Sequence, residues 1–105
     1  MVAPSAVHST SPREAQRRAS AALGAMALRG IEALVFGSLA RGEFRPGSDI
    51  DFLIVACPKG WKYRIESVVE DILRDIPFDV IYQDETPAAK LSLMLEDAVP
   101  AEAFG

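Results

Sequence analysis

The 105-residue chain has a single cysteine, a single histidine and a single tryptophan. A lone cysteine, Cys57, excludes an internal disulfide, and without a Cys/His cluster no zinc-ligand spacing is present. This scarcity fits a reducing compartment. A basic surplus is also missing: 11 Lys and Arg stand against 15 Asp and Glu, a formal net charge of −4. Surfaces that work by neutralising phosphate backbones are basic, so long nucleic acids are poor partners. The apolar runs are too short to cross a bilayer, so no membrane partner is expected. The opening MVAPSAVHSTSPR lacks the continuous apolar stretch of a secretory signal. A soluble, cytoplasmic protein is the expectation.

Half of the residues are apolar, enough for one modest core, and the length suits one domain. Residues 1–10 are small, polar and Pro-containing, and read as a flexible tail before a single domain over 11–105. Ser11 can cap a helix, Pro12 suits its first position and Glu14 can close a capping box. That helix should run to about Arg29, with Gly30 ending it. Its apolar stripe is mostly alanine with Leu23 and Met26, which predicts close packing on a flat surface. Ile31–Phe36 is a β-prone segment between glycines. Gly37–Ser48, with three glycines and a proline, reads as a loop with a helical turn near Leu39 and Ala40. Asp49–Ala56 is a second strand. Ile65, Val68, Val69, Ile72, Leu73 and Ile76 recur at helical spacing and predict a helix over Trp61–Ile76, stopped by Pro77. Phe78–Tyr82 is a third strand, and Thr86 with Pro87 should open a last helix. Such alternation predicts an α/β (α+β) domain, a sheet with helices packed on it.

Asp49 and Asp51 stand one residue apart at the head of an apolar strand, so they project from the same face together with Leu53. Like charges this close are unfavourable unless one is protonated or a cation sits between them. Mg²⁺ suits such an oxygen-only pair, because it completes its shell with substrate phosphate oxygens. Before them, Gly37-Ser38 follows directly on a strand. Backbone N–H groups at a strand-to-helix turn attract anions, Gly37 permits close approach, and Ser38 adds a hydroxyl. Arg41, one turn on, can pair with phosphate oxygens.

The stretch FGSLARGEFRPGSDIDFLIV, with its Gly37-Ser38, ten intervening residues and Asp49-Ile50-Asp51, resembles the nucleotidyltransferase superfamily of DNA polymerase β. Within it, the chain is similar to the minimal (MNT-type) nucleotidyltransferase domains, and "ARG" at 40–42 and "SDID" at 48–51 sharpen the match. The resemblance implies a small mixed sheet flanked by helices. It also implies a third carboxylate on a later strand, and Asp79 is the only acid inside a predicted strand after Asp51. A charge in so apolar a segment is costly unless paired or metal-bound.

The implied chemistry uses two Mg²⁺ ions on Asp49, Asp51 and Asp79, with ATP as substrate and Asp79 as general base. Gly37, Ser38, Arg41 and Ser48 would bind the nucleotide. Leu39 departs from the pattern, since relatives often carry a basic or aromatic residue there, and its presence removes a possible phosphate or base contact. Few residues are left to shape an acceptor pocket, so the acceptor is expected on a partner. The resemblance supplies one: MNT antitoxins beside HEPN-domain ribonuclease toxins, some of which transfer AMP to a toxin tyrosine, in a homo- or hetero-oligomer. Mild acidity suits a basic RNA-cleaving partner. The alternatives are a binding module that neutralises its partner by contact, and transfer to a small molecule of the aminoglycoside type.

Other residues read plainly. Trp61 and Tyr63 are core or interface anchors, and Lys62, Arg64, Glu66 and Glu70 form a solvated face. Glu43 can support Arg41, Arg45 is loop surface, Cys57 is buried and inert, and His8 is not catalytic.

Overall fold

Ser11 opens the first helix as its sequence predicts. The computed structural model describes residues 10–104, so the expected tail lies, apart from Thr10, outside the described residues. The Ser11 hydroxyl accepts the Glu14 N–H at 3.1 Å, and Pro12 takes the first position of α1 (Pro12–Ala27). A cap of this kind contributes about 1 kcal/mol. The reciprocal half of the capping box gives way to charge: Glu14 accepts from the Arg17 and Arg18 guanidinium groups, the latter at 2.8 Å. The helix ends at Ala27 rather than Arg29. Leu28, Arg29 and Gly30 then donate in succession to Gly24, Met26 and Ala27 carbonyls, and Gly30 turns the chain at φ 77°.

Three strands follow: β1 (Glu32–Phe36), β2 (Ile50–Ala56) and β3 (Phe78–Tyr82), in the spatial order β1-β2-β3. β1 and β2 are antiparallel, and β2 and β3 are parallel, so the sheet is mixed. Between β1 and β2 lies the single turn α2 (Ser38–Arg41), and α3 (Ile65–Leu73) joins β2 to β3. α4 (Ala88–Asp97) closes the chain, followed by Val99, which bridges back to Val35, and a 3₁₀ turn over Ala101–Phe104.

The register sorts the side chains into two faces. Ile50, Phe52 and Ile54 lie beside Phe78, Val80 and Tyr82, with Val35 opposite Phe52. This face meets α1 and α3, and Ala15, Ala19, Ala22, Met26, Ile65, Val69 and Leu73 complete one core. The alanine stripe thus does what it predicts, bringing α1 close to α3 and β1. The opposite face carries the row Phe36–Asp51–Asp79 and, next along the strands, Leu34–Leu53–Ile81.

Four sequence expectations are corrected. The helix predicted over Trp61–Ile76 covers only Ile65–Leu73. Tyr63 sits at φ 65°, with its N–H donated to the Tyr82 hydroxyl at 2.8 Å, which breaks the first turn. Arg74 at φ 57° ends the helix, and Ile76 reaches the core from the turn beyond it. Thr86 does not cap α4. Its hydroxyl donates to the Tyr82 carbonyl at 2.8 Å, and Pro87 stands at the cap position rather than in the first turn. Tyr63 is 65% exposed and so is no core anchor, whereas Trp61 is half-buried against the core. Cys57 is only partly buried, since the strand has already ended at Ala56.

Because Ala15, Ala19 and Ala22 are fully buried, α1 has no room for a larger side chain. Ala19→Leu should cost about 1–3 kcal/mol through overpacking. Urea unfolding checks this, with the exposed Arg13→Leu expected within about 0.5 kcal/mol of the parent.

Candidate active site

The face that carries Asp51 and Asp79 is shaped first by Gly37. It follows the last residue of β1 and takes φ 79°, ψ −151°, a conformation that L side chains rarely adopt. A Cβ at this position would stand 2.3 Å from Asp51 Oδ2. Glycine is therefore required twice, once for the turn and once for the approach of backbone to carboxylate. The turn starts α2, whose first N–H groups have no preceding helical carbonyl to reach. Ser38 stands at that start, and Gly42 ends the turn in the left-handed conformation.

Leu39 points the other way. It is 2% exposed and belongs to the core, so the turn is pinned from beneath. Leu39 thus offers no phosphate or base contact, as expected of a leucine there, and has a core role instead. Phe44, also buried, anchors the loop that follows. Ser48 braces that loop, with its hydroxyl accepting the Arg45 N–H at 3.0 Å and its own N–H donated to the Arg45 carbonyl at 2.8 Å. Phe44 is a structural residue that sequence reasoning misses. An aromatic residue isolated among Gly, Glu, Arg and Pro was the available signal.

Asp51 and Asp79 are register partners on neighbouring parallel strands. Asp49 precedes β2 and is exposed, and Asp79 is exposed as well, while Asp51 is half-buried. The desolvation cost expected for Asp79 therefore falls on Asp51. Burial pushes the Asp51 carboxyl up to about 6, the charges of Asp79 and Asp49 push in the same direction, and Arg41 opposes them. Arg41 itself is held by two acids: Nε donates to Glu43 Oε1 at 3.0 Å and Nη1 to Asp97 Oδ2 at 3.3 Å. These partners raise the guanidinium pKa further. Glu43 is as the sequence suggests. Asp97, 56 residues from Arg41, carries no local signal at all.

The structure thus brings Gly37, Asp51 and Asp79 into one cluster, with Asp49 and Arg41 within electrostatic reach and Ser38 opening the turn. Ser48 serves the loop. Among the described residues, no group of three or more His, Cys, Asp or Glu side chains is arranged to hold a metal ion alone. The donor chemistry still fits one. All the groups are hard oxygens, Asp51 is crowded by two like charges, and Mg²⁺ draws its remaining ligands from phosphates and water.

A family model of the nucleotidyltransferase domain matches residues 17–99. The chain belongs to that family. A solved structure provisionally described as a minimal nucleotidyltransferase aligns at a TM-score of 0.72 and 27% identity, over 87% of this chain and 96% of that one. No curated protein is similar enough to match. In this nucleotidyltransferase domain two of the three site acids, Asp49 and Asp79, are exposed. Cavities of about 400, 520 and 270 Å³ lie elsewhere, and none of the three is lined by Asp49, Asp51 or Asp79. Among the described residues no helix is long and apolar enough to cross a membrane.

The raised Asp51 carboxyl makes the folded state bind more protons than the unfolded chain between pH about 4 and 6. The associated strain is absent below that window and fully present above it. Asp51→Asn should therefore raise stability at pH 7.5 by about 1–2 kcal/mol, with the gain fading towards pH 4. Urea unfolding at both pH values measures it. Gly37→Ala, by contrast, should displace the Asp51 carboxylate and lower transfer about 100-fold, the scale of an ångström's misplacement. Steady-state kinetics on a variant shown to be folded by circular dichroism tests that.

Proposed function

We propose that this domain transfers a nucleoside monophosphate, AMP from ATP, to a hydroxyl on a partner protein. The reading rests above all on Asp51, half-buried between like charges and pressed against the Gly37 backbone at a strand-to-helix turn. Nothing in the core needs this crowded carboxylate, and a cation shared with phosphate would relieve it.

The triphosphate would lie along the turn at Gly37 and Ser38, with Arg41 on its outer oxygens. Two Mg²⁺ ions held by Asp49, Asp51 and Asp79 would supply charge neutralisation at the attacking and leaving oxygens. Asp79, exposed beside Asp51, would accept the proton of the incoming hydroxyl. The new bond joins that oxygen to the α-phosphorus, the α–β phosphoanhydride breaks, and pyrophosphate leaves.

The exposure of Asp49 and Asp79 favours an acceptor carried on a macromolecule over a small molecule, which would need an enclosing pocket. Among macromolecules, a tyrosine of a HEPN-type ribonuclease toxin fits the family resemblance, and the net charge of −4 suits a basic partner. The domain would then act as the toxin's antitoxin. The core role of Leu39 gives its apolar character a reason other than a vestigial site, which weakens the reading of a module that acts by contact alone.

Incubation with labelled ATP, Mg²⁺ and the product of the adjacent gene should label that product. EDTA should abolish the signal, and Asp49→Asn or Asp51→Asn should lower it by more than about 100-fold, beyond the loss typical of outer-shell changes at metal sites. Labelling that survives both substitutions would contradict the assignment of the site.

A further inference from the structure

Asp97 occupies a locally unfavourable place. It is the last residue of α4, where the helix carbonyls already concentrate negative charge, and it follows Glu96 with no basic residue in that turn. A carboxylate there costs the helix some stability. Its counterweight lies across the fold: Asp97 Oδ2 accepts from Arg41 Nη1 at 3.3 Å, while Glu43 takes Arg41 Nε at 3.0 Å. Arg41 closes α2, the turn that starts at Gly37 beside Asp51.

The pairs are partly exposed, with side-chain accessibilities of 42% for Arg41, 36% for Asp97 and 60% for Glu43. Pairs this wet add little to overall stability. Their geometric effect is larger. An arginine side chain has several rotatable bonds and about 2 kcal/mol of rotamer entropy to lose on binding. Carboxylates on Nε and Nη1 fix the guanidinium plane before an anion arrives. A guanidinium has five N–H donors, and these two contacts occupy two. The remaining edge, chiefly Nη2, can face phosphate oxygens.

We propose that Asp97, with Glu43, is a positioning residue that presets Arg41 for the triphosphate, so that the end of α4 tunes nucleotide affinity. This rests on the nucleotidyl-transfer reading and extends it to a residue outside the motif. The effect belongs on nucleotide binding and not on the chemical step, because Asp97 acts through the Arg41 guanidinium.

The test uses the full chain and two probes, Mg–ATP and magnesium tripolyphosphate, titrated calorimetrically, alongside transfer kinetics and thermal melts. Asp97→Ala should weaken binding of both probes and raise KM about 2- to 5-fold, with kcat within about twofold. Asp97→Glu should restore part of the affinity. In an Arg41→Met background Asp97→Ala should have no further effect on binding. The melting temperature of Asp97→Ala should be unchanged or higher, since the helix loses an unfavourable charge.

Unchanged affinity in Asp97→Ala, or tighter binding as expected if Asp97 sequesters Arg41, would overturn the inference while leaving nucleotidyl transfer standing. An equal effect in the Arg41→Met background would also overturn it, since the influence would then bypass Arg41. A parent protein that binds neither probe would overturn the transfer reading, and this inference with it.

Discussion

The site depends on one unfavourable interaction, the carboxylate of Asp51 held half-buried beside Asp79 and Asp49. Its neighbours on β2, Ile50 and Phe52, are fully buried on the other face and cannot move without emptying the core. The pleat then leaves Asp51 no freedom to turn away, because a strand sends alternate side chains to opposite faces. The parallel register with β3 fixes Asp79 beside it. The sheet therefore manufactures the repulsion, and the core built on Phe52 sustains it.

The surrounding residues make sense against that constraint. Gly37 is glycine because any Cβ would meet Asp51 Oδ2. Leu39 and Phe44 are apolar because the loop over the acids must be tied down from below. Arg41 partly compensates the cluster, yet it is shared with Glu43 and Asp97, so most of the negative potential stays available to a cation. Stability given up at a functional site in this way is a common bargain in enzymes.

Much of this was legible in the sequence because the signals are local. Ser11-Pro12 marked the first helix, the apolar run through Asp49–Ala56 marked β2, and the Phe78–Tyr82 segment was placed to the residue. Gly37-Ser38 and the two acids could be joined into a site because their spacing is a short-range property. What escaped was decided by partners far along the chain. The Tyr82 hydroxyl, 19 residues away, takes the Tyr63 N–H and shortens α3. Asp97 reaches Arg41 across 56 residues. The inward direction of Leu39 depends on the core beneath it, and the exposure of Asp79 depends on what covers β3. Periodicity and motif spacing carry none of these facts.

The titration of Asp51 itself tests the account most directly. Carbon-13 NMR of its carboxyl carbon should give an apparent pKa near 6 in the free protein. Saturating Mg–ATP should drive that value down, because a shared cation favours the ionised form. A carboxyl that titrates in the ordinary range, or one that Mg–ATP leaves unmoved, would contradict the claim that this crowded acid is a nucleotide–metal site.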